Sequence, residues 1–282
     1  MAKPKRKMTA AQKAAARVPE PVFEPSSEGA EPESVPVPLS GKERRSRLFL
    51  LIGGLIALVA LSFMLYTCNY SHETDAARAA LESTAQVAVA QEADWIAFGD
   101  SDSEVGFVFY PGGKVAAEAY APLMHRLADA GVFCAIAKVP FNLAFFKTDA
   151  ANAVIQAYPQ VKTWYVGGHS LGGVAACQWA ADNASQIAGI VLLGSYTSVD
   201  LTGSGLRLLS LSGSNDQVMN RENYAESQAL LPTDAKEVVI QGGNHAQFGD
   251  YGAQEGDGEP AITAQDQQKQ TVDAILNWMG LA

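Results

Sequence analysis

The chain carries a serine with a glycine two residues away on each side, Gly168-x-Ser170-x-Gly172, and no other feature limits its fold as much. A β-branched and aromatic run at residues 163–166 predicts a buried strand before the serine, and small residues at 173–181 predict a helix after it. A serine at such a strand-to-helix turn sits on a strained backbone, where a side chain two residues away would collide with neighbouring elements. The motif therefore predicts a sharp turn that presents a serine hydroxyl.

Strand and helix patterns alternate from about residue 75 onward. Strands are predicted at residues 86–90, 95–98, 106–110, 132–139, 163–166, 187–193, 206–211 and 237–240. Helices are predicted at residues 120–130, 149–158, 173–181, 221–230 and 265–279. The first two strands are typical of a short antiparallel pair. The repeated strand–helix units that follow predict an α/β fold, with a mostly parallel central sheet and helices on both faces.

Polar loops follow two of these strands, at the edge of the sheet where ligands bind in such folds. Asp216 ends the loop after strand 206–211, and His245 ends the loop after strand 237–240. A serine becomes a nucleophile when a histidine takes its proton and a carboxylate orients that histidine. Ser170, Asp216 and His245 occur in the chain order that this chemistry uses in α/β folds, and are the candidate nucleophile, acid and base.

The base can be chosen by elimination, because the chain has four histidines. His72 lies beside a long apolar segment, and His125 lies inside a predicted helix. His169 belongs to the serine turn, where its side chain is expected to point away from the serine. His245 remains, and its position after a strand supports it.

The acid has two candidates, since Asp200 also follows a strand. An aspartate in a loop rich in Ser and Gly is by default a surface turn residue. Asp216 is favoured because it follows the strand directly before the one that leads to the histidine. Asp200 stays open as the alternative.

A developing oxyanion needs backbone N–H donors aimed at it. One donor is expected from Leu171, directly after the serine, and the other from Gly112-Gly113 after strand 106–110, with Gly113 as the candidate. The alternative interpretation of Pro111-Gly112-Gly113 is a plain turn. No spacing typical of a metal site occurs, so no metal is expected, and catalysis by serine, histidine and aspartate needs no cofactor.

An uncharged stretch of nineteen residues at 48–66 is the second strong feature of the sequence. As a helix it would span roughly 28 Å, close to the hydrocarbon thickness of a bilayer. The basic cluster at residues 42–47 predicts a cytoplasmic N-terminus and an exported C-terminal part. The alternatives are a buried core helix and a cleaved signal peptide, although signal peptides have shorter apolar cores. Lipidation of Cys68 is disfavoured, because the residues before it are not small.

Charge is distributed unevenly between the two parts of the chain. Residues 1–47 contain ten of the 20 Lys and Arg and six of the 30 Asp and Glu, a net charge of +4; the remainder has ten basic and 24 acidic residues, a net charge of −14. The acidic remainder of the chain would be repelled by the phosphates of a nucleic acid, so nucleic-acid binding is not expected. Pro-rich residues 1–40 predict disorder. We therefore expect a disordered basic tail at 1–47, a transmembrane helix at 48–66, a linker at 67–74 and a catalytic domain at 75–282.

Residues 75–282 resemble the α/β-hydrolase superfamily, and within it the small dienelactone-hydrolase-like branch. The resemblance rests on Phe109-Tyr-Pro-Gly-Gly-Lys114, Pro140-Phe-Asn-Leu143, Gly167-Gly-His-Ser-Leu-Gly-Gly173, Gly213-Ser-Asn-Asp216 and Gly242-Gly-Asn-His-Ala-Gln-Phe-Gly249. It implies an α/β-hydrolase fold and a Ser170–His245–Asp216 triad. Many relatives carry a lid after the strand that follows the serine helix. Only residues 194–205 are available for one here, so we expect no sizeable lid and an open site.

The resemblance also implies a function. We expect a membrane-anchored serine hydrolase, similar to esterases and lipases, that cleaves an ester or related acyl bond in a small-molecule or lipid-like substrate. Acyl transfer by the same triad and a non-catalytic binding module on the same fold are the alternatives. The apolar loop at residues 141–146 is expected either to line an acyl pocket or to pack in the core.

Overall fold

The structure is a computed structural model that describes residues 40–282. Its strands are β1 (Val89–Gln91), β2 (Trp95–Phe98), β3 (Val105–Tyr110), β4 (Phe133–Ala137), β5 (Thr163–His169), β6 (Gly189–Leu193), β7 (Arg207–Gly213) and β8 (Lys236–Ile240). Its α-helices are α1 (Gly41–Cys68), α2 (Asp75–Ala79), α3 (Ala121–Asp129), α4 (Ala150–Ala157), α5 (Leu171–Asn183), α6 (Arg221–Ser227) and α7 (Ala264–Met279). Short 3-10 helices cover Ala117–Tyr120, Pro140–Asn142, Ala144–Phe146, Ala184–Gln186, Gln228–Leu230 and Ala246–Phe248.

Within residues 40–282 the strands form one mixed sheet, in the order β1-β2-β4-β3-β5-β6-β7-β8. β1 and β2 are antiparallel, β2 is antiparallel to β4, and all later neighbours are parallel. Tyr110 at the end of β3 pairs with Gly168, and Gly168 pairs with Leu192 near the end of β6. The loops that follow these strands therefore meet at one edge of the sheet.

Helices cover both faces of the sheet. On one face α3 and α7 pack against Phe107 and Phe109, and on the other α4 and α5 pack against Val108 and Tyr110. Because side chains alternate along a strand, four consecutive residues of β3 contribute to both cores. The expected α/β architecture, with a mostly parallel sheet between two helical layers, is confirmed.

The predicted elements differ from the observed ones mainly at their boundaries. β5 continues to His169 because two glycines let its backbone run close to its neighbours; a Cβ at Gly167 would collide with the carbonyl oxygen of Val191. β1 begins at Val89, since the N–H of Val87 is donated to the Thr84 hydroxyl (3.0 Å) in a turn. As expected for a fold without a sizeable lid, residues 194–206 between β6 and β7 contain neither helix nor strand.

The tail predicted to be disordered at 1–47 lies outside the described residues up to position 39. Its last residues, however, are helical, because α1 begins at Gly41. A reciprocal cap explains this start: the N–H of Glu43 is donated to the Ser40 hydroxyl (3.3 Å), and the N–H of Ser40 to the Glu43 carboxylate (2.8 Å). Helix α1 is thus 28 residues long, and it is long and apolar enough to cross a membrane.

Contacts among the described residues divide the chain inside α1, so that residues 57–282 form one unit. In this unit the segment predicted as a linker, residues 67–74, is hydrogen-bonded to the rest of the fold. Ser71 pairs with Val115 in a parallel bridge, and the Thr74 hydroxyl donates to Asp250 (2.7 Å). The last turn of α1 is therefore joined to the domain by a short, ordered connection.

Candidate active site

Ser170 lies at the sharp turn between β5 and α5, with backbone angles φ +51° and ψ −123°. Left-handed φ values are strained for a serine. Its flanking glycines allow the turn: a Cβ at Gly168 would collide with the backbone of Gly172, and a Cβ at Gly172 with the carbonyls of Tyr110 and Pro111. The glycines predicted from the sequence are thus at positions where no other residue fits.

Two neighbouring groups hold this turn in place. The N–H of Ser170 is donated to the carbonyl of Leu193 at the end of β6 (2.9 Å). Its own carbonyl accepts a hydrogen bond from the hydroxyl of Ser195 (2.6 Å). Ser170 itself is half-buried, so its side chain is placed at the open edge of the sheet rather than in the core.

Asp216 and His245 are brought together at the same edge, after β7 and β8. The Nδ1 atom of His245 lies 2.9 Å from Oδ2 of Asp216, and both side chains are buried. Gly194 lies directly behind the pair, because a Cβ there would be 2.9 Å from Nδ1 of His245 and 3.2 Å from Oδ2 of Asp216. A carboxylate in this position fixes the orientation of the imidazole ring and stabilises its protonated form.

Hydrogen bonds stabilise the buried carboxylate of Asp216. Its other oxygen, Oδ1, accepts the N–H groups of Val218 (3.0 Å) and Met219 (2.9 Å). Burial alone would raise the pKa of Asp216, but the hydrogen bond and charge of His245 and these two N–H donors outweigh it and hold the pKa below its usual value. The carboxylate is therefore ionised and can stabilise a protonated imidazole at His245.

Asp200, the alternative acid, is exposed in the loop after β6. Its carboxylate accepts hydrogen bonds from the N–H (2.9 Å) and the hydroxyl (2.7 Å) of Thr202, two residues along the chain. The structure thus pairs His245 with Asp216 and leaves Asp200 as a turn residue.

The two candidate oxyanion donors are close in space. Gly113 packs against Leu171, since a Cβ at Gly113 would lie 2.8 Å from Cδ2 of Leu171. In the part of the chain that the structure describes, neither N–H is donated to a protein acceptor. The N–H of Gly112, in contrast, is donated to the hydroxyl of Tyr120 (3.0 Å). Of the two glycines, only Gly113 keeps a free donor.

Tyr120 is a site residue that the sequence did not reveal. Its hydroxyl lies 2.8 Å from Nδ1 of His169 and also accepts the N–H of Gly112. Which of these two atoms donates depends on the tautomer of the His169 ring. The buried Tyr120 thereby ties the Gly112-Gly113 loop to the serine turn.

His169 also contacts the candidate base. Its buried ring packs on the ring of His245, with 4.4 Å between the centroids. Burial, with the charge of His245 as a further cause, holds the pKa of His169 well below its usual value. A neutral His169 leaves its neighbour free to take a proton without repulsion between like charges.

Asp257 is a second site residue that carries no signal in the sequence. Its carboxylate accepts the N–H of Ala246 (2.9 Å), next to His245, and the N–H of Gln217 (3.3 Å), next to Asp216. One side chain thus connects the loop that carries the acid to the loop that carries the base.

The remaining titratable side chains form no further catalytic cluster in the described region. Within residues 40–282, no group of three or more His, Cys, Asp or Glu side chains is arranged to hold a metal ion. His125 lies on α3, and His72 stacks on Tyr70 before α2, with 4.2 Å between the ring centroids.

Comparison with known proteins identifies the fold and its family. A family profile described as the alpha/beta hydrolase family matches residues 106–270, more than half of the chain. A predicted CIB-like hydrolase from Thermoplasma acidophilum is similar in structure, with a TM-score of 0.51 and 13% identity, over 68% of this chain and 100% of that one. An esterase from Pyrobaculum calidifontis has a TM-score of 0.51 and 18% identity, over 73% of this chain and 89% of that one. A comparison with curated protein sequences gave no match.

The lowered pKa of Asp216 predicts a specific dependence of stability on pH. Below the ordinary aspartate pKa of about 3.9, this aspartate is protonated in the unfolded chain but still ionised in the folded one. The free energy of unfolding therefore falls as the pH drops through the lower pKa of the folded state. Asp216→Asn removes this contribution. We expect its free energy of unfolding, measured with denaturant on the full chain in detergent micelles, to depend less steeply on pH over this acidic range.

The matched control is Asp102→Asn, which removes an exposed carboxylate with the same loss of charge. It should retain the wild-type slope. An Asp216→Asn slope equal to that of the wild type would contradict the assignment of a depressed pKa to Asp216.

Proposed function

The chain belongs to the alpha/beta hydrolase family, and from this premise we propose that it is a serine hydrolase that cleaves an ester or related acyl bond. The observation that carries the proposal is the buried Asp216–His245 pair, 2.9 Å apart, at the sheet edge that also holds the strained Ser170 turn. A strained turn is retained where it serves a site, and a buried carboxylate is stable only when its hydrogen bonds are satisfied.

In the first half of the proposed reaction Ser170 forms an acyl-enzyme. Its Oγ attacks the carbonyl carbon of the substrate while Nε2 of His245 takes the hydroxyl proton, and Asp216 stabilises the imidazolium through Nδ1. The N–H groups of Gly113 and Leu171 donate to the oxyanion. The carbon–oxygen bond to the leaving alcohol then breaks, and His245 returns the proton to that alcohol.

In the second half water releases the acyl group. His245 takes a proton from water, the hydroxide attacks the acyl carbon, and the ester bond to Ser170 breaks as the serine regains its proton from the imidazolium. Residues 194–206 form neither a helix nor a strand that could act as a lid and exclude water, which favours water over a bound acceptor alcohol as the second substrate. Hydrolysis is therefore the proposed outcome rather than acyl transfer.

Helix α1 supports a membrane anchor as part of the proposal. Its apolar side chains between Leu48 and Tyr66 are exposed, and an apolar surface of this length is stable in hydrocarbon rather than in water. Arg44, Arg45 and Arg47 come directly before this stretch, so the N-terminus is assigned to the cytoplasm and the catalytic domain to the outer side.

A fluorophosphonate probe tests the proposed nucleophile. We expect the probe to label the full chain in detergent and to fail with Ser170→Ala, because only an activated serine is phosphonylated. Ester hydrolysis by this variant should fall at least about a thousandfold. Ser185→Ala, which removes an exposed serine after α5, is the control and should be labelled as the wild type is. Equal labelling of wild type and Ser170→Ala would overturn the assignment.

Alanine variants of the two aspartates test the proposed acid. Asp216→Ala should lower kcat/KM by roughly a thousandfold or more, because the imidazole loses its orienting carboxylate. Asp200→Ala should change it by less than about threefold, as expected for a surface residue. The measurement uses p-nitrophenyl esters of increasing acyl length, with circular dichroism as the control for folding. A larger loss in Asp200→Ala than in Asp216→Ala would reverse the assignment.

Protease protection tests the proposed topology. Protease added to intact spheroplasts should digest the catalytic domain, since the basic cluster before α1 places that domain on the outer side. Detergent-lysed spheroplasts serve as the control for accessibility. Digestion that requires lysis would mean that the orientation is inverted.

A further inference from the structure

Three phenylalanines form an exposed aromatic patch in the loop after β4. Phe141, Phe145 and Phe146 are 51%, 46% and 55% exposed, and the rings of Phe141 and Phe146 pack edge to face with 5.5 Å between centroids. Of the two expectations for this loop, core packing is therefore wrong for its three phenylalanines and holds for Ala144, which is buried. Large aromatic side chains held together in water are typical of an interaction surface.

The backbone of this loop is built to keep the patch outward. Phe141 and Asn142 have φ values of +58° and +54°, a strained conformation for residues with a side chain. The carbonyl of Asn142 accepts the N–H of Lys114, next to the candidate oxyanion donor Gly113 (2.8 Å). Strain that the fold retains beside a catalytic loop is typical of a functional segment.

Helix α1 contacts the patch through Phe63. The ring of Phe63 lies 5.2 Å from that of Phe141 and 6.0 Å from that of Phe146, centroid to centroid. Phe63 is three residues before Tyr66, the end of the uncharged stretch, and so lies about 4.5 Å inside that end along the helix. Side chains that touch Phe63 are therefore level with the last turn of the apolar stretch.

The connection between α1 and the domain is too short to let the patch move away. Thr67 at the end of α1 is buried, and the N–H of Ser71 is donated to the carbonyl of Lys114 (2.7 Å). The ammonium of Lys114 lies 4.3 Å from the ring centroid of Tyr66, a favourable cation–π contact. This ammonium thus lies beside Tyr66, the last residue of the uncharged stretch.

A groove of about 420 Å³ lies between Phe145 of the patch and Leu171, the residue directly after Ser170. Its apolar lining residues are Phe145, Leu171, Val174 and Leu230, and its polar ones are Gln178, Tyr196, Thr197, Ser198, Asn223, Glu226 and Ser227. The groove thus has an apolar side, formed in part by Phe145 and Leu171, next to the candidate nucleophile.

From these contacts we propose that the aromatic patch is seated in the interface of the bilayer that holds α1, and that the substrate is an amphiphilic ester drawn from that bilayer. The acyl chain enters the groove past Phe145, and its carbonyl carbon reaches Ser170 while the head group stays near Lys114. The proposal rests on the proposed hydrolase activity and on the proposed anchor. A lipid surface is favoured over a partner protein, because the patch contacts Phe63, a residue of the apolar stretch of α1.

Depth-dependent fluorescence quenching tests the seating of the patch without any need for catalysis. Phe146→Trp is introduced into the full chain, which is reconstituted in phosphatidylcholine vesicles brominated either near the head group or near the chain end. Phe63→Trp is the positive control, and Val239→Trp, an exposed position on the edge strand β8, is the negative control. The quenching of the four native tryptophans is measured in the wild type and subtracted.

We expect the fluorescence of Phe146→Trp to be quenched nearly as much as that of Phe63→Trp and far more than that of Val239→Trp. This quenching should be larger when the bromine is near the head group. Quenching of Phe63→Trp alone would show that the helix is in the bilayer while the patch faces water or a protein, and would overturn the proposal. Quenching of neither variant would overturn the anchor as well. Labelling of Ser170 by the fluorophosphonate probe reports separately on the activity.

A ratio of rates tests the source of the substrate. The double variant Phe141→Ser/Phe146→Ser leaves Phe145 and the groove intact, and we expect it to lower the ratio of hydrolysis of a vesicle-borne ester to that of a water-soluble acetate ester. The expected loss in this ratio is on the order of tenfold, as for the removal of two aromatic side chains from an apolar environment. An unchanged ratio, whatever the absolute rates, would overturn entry from the membrane.

Discussion

The close approach of backbone to backbone at the serine turn is the constraint on which the rest of the site depends. Gly168 lies so close to Gly172 that no side chain fits at either position, and this contact holds Ser170 at a positive φ. The strain is sustained by hydrogen bonds to Leu193 and from Ser195, which are fixed in turn by β6 and the loop after it. A parallel sheet supplies such bonds at one edge, which is why this turn belongs to this fold.

A buried carboxylate is stable at that edge only because the fold surrounds it with donors. Asp216 receives three hydrogen bonds, two of them from backbone N–H groups of its own loop. Asp257 accepts N–H groups from the residues next to Asp216 and next to His245, and so joins the loops of the acid and the base. Tyr120 links the candidate oxyanion loop to His169 in the same way. Hydrogen bonds between different loops thus stabilise the site more than hydrogen bonds within a single loop.

The same distinction explains how much the sequence could predict. Alternating sequence patterns predicted the strands and helices, because such patterns are local. The order of the strands along the chain predicted that Asp216 and His245 are neighbours, because neighbouring strands end at the same edge of the sheet. Tyr120 and Asp257 carry no such signal, since each acts on loops that become neighbours only when the sheet is assembled. The phenylalanines at 141–146 were ambiguous for a related reason: an apolar run alone does not distinguish burial from exposure, and the left-handed backbone that turns them outward is not encoded by glycine.

The ordered connection between α1 and the domain bears on where substrate would come from. A flexible linker would let the catalytic face sample all orientations above a bilayer, so that esters in solution and in the membrane compete on equal terms. Here Ser71 bridges to Val115 and Phe63 contacts Phe141, so the last turns of α1 belong to the same unit as the candidate catalytic residues. An active site held in one orientation over a surface gains effective concentration for molecules in that surface and gains none for dissolved ones. Under the proposed anchor, the geometry of the connection itself therefore selects for membrane-borne esters.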